Sequence, residues 1–139
     1  MIRKLYRSVV VVDDDRMHLE MMEMVLRRIG ILDVRGFSDA EEAFASAQLK
    51  RPDLIISDWN MDPVDGLQLL KWIRETSFTS DVPFIMATAN CSESYWIKAI
   101  EAGVTEFLVK PLKLQVLEDA ILGLIDGSDR EWSRVHSLE

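Results

Sequence analysis

The sequence feature that most constrains the fold is a run of four consecutive valines at residues 9–12, followed at once by Asp13, Asp14 and Asp15. A strand in which apolar and polar residues do not alternate is buried on both faces, as in a parallel sheet covered by helices. Ligands bind such sheets at the carboxyl ends of the strands. The sequence therefore predicts that the three carboxylates lie at the ligand-binding edge of a parallel sheet.

Further apolar runs follow along the chain, and each is short enough for one strand. They are separated by segments whose apolar residues recur at steps of three and four, the spacing of amphipathic helices. Gly30 and Gly103 follow two of these segments, where glycine commonly ends a helix, and Ser38 or Asp39 can cap the second helix. The predicted strands cover residues 9–12, 34–37, 54–58, 84–87 and 107–109.

Five strands that alternate with five helices predict repeated βαβ units, because each right-handed crossover returns the chain to the same sheet. The predicted fold is a three-layer α/β/α sandwich of the α/β class, built on one five-stranded parallel sheet. At 139 residues the chain has the length of one ordinary domain. We expect that domain to span residues 1–127. Residues 128–139 lose the apolar periodicity and are expected to form a tail or linker.

The charge and composition exclude several classes of protein. A formal net charge of -8 would repel a phosphate backbone, so we expect no direct binding to nucleic acid. Cys91 is the one cysteine, which leaves neither an internal disulfide nor a thiolate cluster for zinc. The apolar run near the N-terminus is too short for a signal peptide or a membrane span. We therefore expect a cytoplasmic protein that does not enter a membrane.

Polar residues stand at the ends of four of the predicted strands. Asp13 and Asp14 follow the first, Asp58 ends the third, Thr88 follows the fourth and Lys110 follows the fifth. Carboxylates gathered at one sheet edge can hold a hard cation such as Mg²⁺, and an ammonium and a hydroxyl suit phosphate oxygens. A carboxylate can also form an acyl phosphate. The set predicts a phosphoryl-transfer site with Asp58 as the acceptor.

These residues resemble those of the response-regulator receiver domain, the CheY-like family, over residues 7–125. The resemblance implies the strand order 2-1-3-4-5, in which the first and third strands lie side by side at the point where the order reverses. The motifs that carry it follow the family's order and spacing: Val11-Val12-Asp13-Asp14-Asp15, Ser57-Asp58-Trp59-Asn60-Met61, Asp65-Gly66, Ala87-Thr88-Ala89 and Lys110-Pro111.

The resemblance implies a two-component signalling protein in which Asp58 accepts a phosphoryl group from a phosphohistidine. The donor would be a histidine kinase or a histidine phosphotransfer protein. Mg²⁺ would be bound by the side chains of Asp14 and Asp58, by the backbone carbonyl of Asn60 and, mainly through water, by Asp13. Asn60 and Asn90 occupy positions that tune dephosphorylation in the family. Asp62 occupies a position where many receivers have proline.

The family's phosphoryl contacts and its switch also map onto this sequence. Thr88 and Lys110 would bind the phosphoryl oxygens, and the bond between Lys110 and Pro111 is expected to be cis, a form that is nearly confined to proline. After phosphorylation Thr88 would move inward and leave room for Phe107, on the fifth strand, to turn in. This change would alter the surface formed by the fourth helix, fifth strand and fifth helix.

That surface is where receivers often form homodimers or bind a downstream target or output domain. In the fourth helix the apolar spacing predicts that Ile97 and Ile100 form the buried stripe. Trp96 lies about 100° around the helix from Ile97, so we expect it to be partly exposed beside that stripe. A partly exposed tryptophan there is a plausible anchor for a partner.

Two other functions fit parts of the pattern. The first is a receiver-like interaction module that never accepts a phosphoryl group. The presence of all the residues that the reaction needs argues against this function: Asp13, Asp14, Asp58, Thr88 and Lys110. The second is a Mg²⁺-dependent phosphohydrolase, but such enzymes generally need a second acid two residues after the nucleophile, where this chain has Asn60. We therefore predict a signalling switch and not an enzyme that turns over other substrates. Asp15 is expected to cap the first helix, and His18 and His136 have no partners at ligand spacing.

Overall fold

The computed structural model describes residues 6–126 of the chain. Within this range five strands form one parallel sheet in the order β2-β1-β3-β4-β5. This confirms the predicted fold class and the strand order that the family resemblance implied. The strands are β1 (Ser8–Val12), β2 (Asp33–Phe37), β3 (Leu54–Asp58), β4 (Phe84–Thr88) and β5 (Glu106–Val109).

Five helices connect the strands and cover both faces of the sheet. Of the two predicted caps, Asp39 and not Ser38 begins the second helix, since its carboxylate accepts hydrogen bonds from two backbone N–H groups of the first turn. Gly30 follows the first helix with a φ of 101°, a left-handed conformation that glycine adopts without steric cost. The helices are α1 (Arg16–Arg28), α2 (Ala40–Leu49), α3 (Gly66–Glu75), α4 (Glu93–Glu101) and α5 (Leu114–Asp126).

Alternate residues of β1 enter two separate hydrophobic clusters. Val9 and Val11 pack with the apolar faces of α1 and α5 on one side of the sheet. Val10 and Val12 pack on the other side with residues of α2, α3 and α4. All four valines are fully buried. The run without alternation is therefore a central strand covered on both faces, as the sequence predicted.

The register of the strands brings the predicted site residues to one edge. Val12 of β1 pairs with Ser57 of β3, so the following residues, Asp13 and Asp58, extend from neighbouring positions. At the same edge of the sheet, Thr88 ends β4 and pairs with Val109 of β5. Lys110 is the next residue along the chain. Its backbone N–H donates to the carbonyl of Thr88 at 2.7 Å.

The buried stripe of α4 differs from the predicted one. Ile97 and Ile100 are 42% and 41% exposed, whereas Ala99 is fully buried. Tyr95 and Trp96 pack against the core cluster beside Ala99. The residues that face the sheet still have helical spacing, but the stripe is rotated by one residue, because the two aromatic rings fill the space over β4 and β5 that the isoleucines were expected to fill.

Two other expectations concern the domain boundary and membrane-spanning helices. The predicted domain boundary at residue 127 and the predicted tail at residues 128–139 lie outside the described residues. Among residues 6–126, none of the helices combines the length and the apolar character that crossing a bilayer requires.

Candidate functional site

Three aspartates converge at the carboxyl edge of the sheet. Asp13, Asp14 and Asp58 each place one carboxylate oxygen within 4.8 Å of the others. Asp13 and Asp58 are buried and Asp14 is exposed, so the cluster is closed on the protein side and open on the other. Asp15, the fourth acid of the region, points away to cap α1 and accepts the N–H groups of Met17 and His18. The capping role expected for Asp15 is thus confirmed.

The Lys110 ammonium lies between two of these carboxylates. Its Nζ is 3.0 Å from Oδ2 of Asp13 and 3.2 Å from Oδ1 of Asp58. The side chain is only 11% exposed. A single, largely buried positive charge therefore contacts two buried acids at the ends of different strands, and the chain brings these residues together as predicted.

The protonation properties of the site follow from this crowding. Burial raises the pKa of Asp58, the nearby Asp13 charge raises it further, and Lys110 opposes both effects without cancelling them. Burial alone would lower the pKa of Lys110, but the hydrogen bond to Asp13 and the charges of Asp13 and Asp58 raise it above its ordinary value. Lys110 is consequently a firmly protonated cation, and Asp58 holds its proton more readily than an exposed aspartate.

Backbone contacts fix the position of Asp58. Trp59 donates its N–H to the carbonyl of Ala87 at 2.8 Å, and Gly66 donates to the carbonyl of Trp59 at 2.8 Å. A Cβ at position 66 would overlap the carbonyl oxygen of Asp58 and lie 2.9 Å from Sδ of Met86. Only a residue without a side chain lets the start of α3 approach β3 this closely. Gly66 thereby holds the loop that follows Asp58 against the sheet.

The remaining predicted residues lie around this centre. Thr88 is fully buried at the end of β4, and its hydroxyl accepts the N–H of Asn90 at 3.0 Å. The bond between Lys110 and Pro111 is cis, as the resemblance implied, and a second cis bond joins Asp62 and Pro63. Asn60 is exposed directly beyond β3, and its backbone N–H has a small lowering effect on the pKa of Asp58.

An aromatic cluster connects Asp58 to α4 and β5. The ring of Trp59 lies 4.6 Å from that of Tyr95 and 6.4 Å from that of Phe107, measured between centroids. Phe107 is 1% exposed, so it already occupies an inward position in this structure. Trp96 is partly buried and its indole Nε1 is buried with no hydrogen-bond partner among the described residues. Trp59 and Tyr95 were not predicted to take part, although Trp59 directly follows the acceptor in the sequence.

His18 also lies at the site, although it was not predicted to. Its Nδ1 lies 3.2 Å from Nζ of Lys110, 3.8 Å from Oδ2 of Asp13 and 3.7 Å from Oδ2 of Asp15. In the sequence, His18 has no partners at the spacing of metal ligands. Its position in the helix could have indicated that His18 lies near the site. The third residue after the Asp15 cap lies in the first turn, which begins beside the ends of the strands.

The donor set fits a hard divalent cation. Asp13, Asp14 and Asp58 offer only oxygen atoms, and Mg²⁺ prefers oxygen ligands, of which one or two are usually carboxylates. Lys110 leaves net negative charge among the three acids. The arrangement can thus bind a cation and a phosphoryl group side by side, with an ammonium beside both.

Comparison with known proteins agrees with this geometry. A family model described as the response regulator receiver domain matches residues 9–122. The chain is 33% identical over 126 residues to the chemotaxis protein CheY1 of Helicobacter pylori. The aligned region covers 88% of this chain and 99% of that protein. It is 29% identical over 114 residues to the chemotaxis protein CheY of Pseudomonas aeruginosa, with 82% and 92% covered.

Solved structures of response regulators are also similar to this chain. The chemotaxis response regulator CheY4 of Vibrio cholerae matches with a TM-score of 0.78 at 32% identity, over 84% of this chain and 97% of that one. The receiver domain of the Francisella response regulator 1452 matches with a TM-score of 0.77 at 26% identity, over 87% and 97%. The chain therefore belongs to the response regulator receiver domain family.

Proposed function

We propose that this protein is a phosphorylation-dependent signalling switch in which Asp58 accepts a phosphoryl group from a phosphohistidine. The observation that carries the proposal is the position of the Lys110 ammonium, 3.2 Å from Asp58 and 3.0 Å from Asp13. A buried cation in this place can stabilise negative charge on the transferring oxygens. The donor would be a histidine kinase or a histidine phosphotransfer protein.

In the transfer step a carboxylate oxygen of Asp58 attacks phosphorus. An O–P bond forms, the P–N bond of the donor breaks, and its electron pair stays on the imidazole nitrogen of the donor. Asp58 has to be ionised to attack, and Lys110 favours that form against the effects of burial and of Asp13. Lys110 and the Thr88 hydroxyl would then contact the phosphoryl oxygens.

Mg²⁺ is the cofactor that this reaction needs. Asp14 and Asp58 would bind it through their side chains, Asn60 through its backbone carbonyl and Asp13 mainly through water. When bound, the ion neutralises charge on the acids and on the phosphoryl oxygens, so that anions can approach one another. The close set of carboxylate oxygens supports this assignment.

The signal would leave the site through the aromatic cluster. Trp59 is the neighbour of Asp58 and contacts both Tyr95 of α4 and Phe107 of β5. Because Phe107 is already inward here, we propose that phosphorylation stabilises this position through the movement of Thr88 and does not create it. The affected surface would be that of α4, β5 and α5, including Trp96, and it would bind a target or output domain or a second copy of the chain.

The two rival functions have specific weaknesses. An interaction module without phosphotransfer does not require a largely buried lysine between two acids, an arrangement whose desolvation is costly. A phosphohydrolase would need a second acid where Asn60 stands. We propose a cytoplasmic location, with no direct contact to nucleic acid or membrane, on the grounds of charge and composition.

The experiment is the incubation of the purified protein with acetyl phosphate and Mg²⁺, followed by intact-mass measurement. The wild type should gain the mass of one phosphoryl group, and Asp58→Asn should gain none. Omission of Mg²⁺ should greatly reduce the adduct. Failure of the wild type to be modified would favour the interaction module, whereas turnover of many small phosphoesters would favour the phosphohydrolase.

A further inference from the structure

Among residues 6–126, His18 is the one polar group in contact with the Lys110 ammonium that the proposed reaction does not use. Its ring lies at the N-terminal end of α1, with the side chain 37% exposed, beside the opening of the site. Its Nδ1 is 3.2 Å from Nζ of Lys110. The backbone N–H of His18 donates to the Asp15 cap at 3.3 Å, which fixes the first turn of the helix from which the ring projects.

The Lys110 ammonium has as many polar neighbours as it has hydrogens. A lysine ammonium has three N–H donors and no acceptor. In this structure Nζ has three polar neighbours at hydrogen-bond distance: Asp13 at 3.0 Å, Asp58 at 3.2 Å and His18 at 3.2 Å. The imidazole is therefore the partner of one of the three hydrogens. Since an ammonium cannot accept a hydrogen bond, Nδ1 of His18 has to be the acceptor.

From this geometry we infer that His18 is a positioning residue for Lys110. Its unprotonated Nδ1 accepts the third N–H of the ammonium and holds Nζ between Asp13 and Asp58, while Nε2 carries the ring hydrogen on the open side of the site. Without the imidazole the third N–H would turn to solvent, and the flexible four-carbon side chain would lose one of its three fixed points. The lysine would then spend less time in the place where the phosphoryl oxygens arrive.

The inference deepens the proposed function and rests on it, because positioning matters only if Lys110 acts on a phosphoryl group. The hydrogen bond itself can be tested without any phosphorylation. The two tests below therefore separate failure of the inference from failure of the proposed function.

The first test is nitrogen NMR of the histidine ring at one fixed, mildly alkaline pH. The chain has two histidines, so His136→Gln in the labelled protein leaves His18 as the single imidazole. We expect an unprotonated Nδ1 that is more shielded than a free acceptor nitrogen and that moves toward the free position in Lys110→Met. Lys113→Met, which changes an exposed lysine in the same segment, should leave the resonance unchanged. A protonated Nδ1, or a resonance that Lys110→Met does not move, would overturn the inference.

The second test compares His18→Leu with His18→Asn, because the asparagine oxygen can occupy the place of Nδ1 and leucine has no acceptor. With Mg²⁺ and acetyl phosphate, His18→Leu should lower the maximal rate constant of phosphorylation about tenfold, the value of one hydrogen bond to a charged group. The half-saturating acetyl phosphate concentration should change much less. His18→Asn should recover most of the lost rate.

Circular dichroism and thermal unfolding establish that both variants are folded before rates are compared. A purely structural role for the ring would slow both variants alike, and this equality would contradict the inference, as would a His18→Leu variant that reacts at the wild-type rate. If the wild type itself takes up no phosphoryl group, the proposed function fails, and the NMR result still decides whether His18 holds Lys110.

Discussion

Nζ of Lys110 lies 3.2 Å from Oδ1 of Asp58, although Lys110 follows β5 and Asp58 ends β3, and these strands are separated in the sheet by β4. The contact exists because the parallel strands all end at the same edge, and because Lys110 is anchored to Thr88 through its backbone N–H. The same ammonium also neutralises Asp13. The stability of the site and its proposed reactivity therefore depend on one side chain.

Lys110→Met should nearly abolish phosphorylation of Asp58 by acetyl phosphate while leaving the chain folded. The loss of one preorganised donor to the transferring oxygens predicts a rate about 100-fold lower or more. Because Asp13 and Asp58 would then face each other without a cation, the variant should also be less stable at neutral pH, by about 1–3 kcal/mol. Stopped-time intact-mass assays and urea unfolding measure the two effects.

The matched control for that variant is Lys113→Met, which removes an exposed ammonium from the same segment of chain. It should react and unfold like the wild type. Equal rates for the two lysine variants would show that Lys110 has no special part in the reaction.

Mg²⁺ should raise the unfolding temperature, because it binds the folded cluster of Asp13, Asp14 and Asp58 and not the unfolded chain. A concentration 100 times the dissociation constant would add about 2.7 kcal/mol of stability. Asp14→Asn should remove most of this gain. In the control variant, Asp81→Asn, the change affects an exposed aspartate that is paired with Arg51, and the response to Mg²⁺ should remain. A Mg²⁺-dependent shift of the same size in Asp14→Asn would contradict the assignment of the metal site.

Asp58→Asn should be more stable than the wild type at pH 7 in metal-free buffer. Burial and the Asp13 charge raise the pKa of Asp58, so the folded protein binds this proton more tightly than the unfolded chain does. Ionisation of Asp58 therefore costs stability above its raised pKa, and the cost disappears as the pH falls toward the ordinary value of about 3.9.

Chemical unfolding at several pH values measures this effect directly. The stability difference between Asp58→Asn and the wild type should be largest at neutral pH and should shrink steadily on acidification. A difference that instead grows as the pH falls would mean that the carboxylate, and not the carboxylic acid, is the favoured form of Asp58 in the folded protein.

Gly66→Ala should destabilise the fold and disturb the loop that follows Asp58. The added Cβ would overlap the carbonyl oxygen of Asp58 and lie 3.0 Å from Cα of Trp59, both of which are backbone atoms that cannot turn aside. Overpacking of this kind costs about 3 kcal/mol. Denaturant unfolding measures the change.

The comparison variant is Gly36→Ala, where the added Cβ would meet Oε1 of Glu23 at 2.7 Å. That oxygen is the far end of a flexible side chain, so we expect a change within about 0.5 kcal/mol. If the two alanine variants proved equally stable, the close approach of α3 to β3 would not be required for the fold.

The fold and most of the site could be predicted because their signals are local. Four valines without alternation indicate a strand buried on both faces, and both sides of β1 are covered as expected. Asp13, Asp58 and Lys110 each directly follow or end an apolar run, so parallel topology alone brings them to one edge. The cis bond at Pro111 and the strand order came from the family resemblance and not from the periodicity.

The features that the sequence did not predict depend on side-chain packing between elements. Two apolar stripes one residue apart are possible on α4, and packing against the sheet selects Trp96 and Ala99 in place of Ile97 and Ile100. The contact of His18 with Lys110 depends on the direction in which one ring leaves a helix. Spacing along the chain does not carry that information.

The most direct measurement of the central claim is the site of phosphoryl attachment. Protein phosphorylated with acetyl phosphate and Mg²⁺ can be reduced with borohydride, which converts an acyl phosphate to an alcohol, and the modified residue can then be identified by peptide mass spectrometry. We predict that Asp58 alone is converted, and that Lys110→Met prevents the conversion while Lys113→Met does not. Conversion of Asp13 or Asp14 in place of Asp58, or no conversion of any residue, would contradict the account.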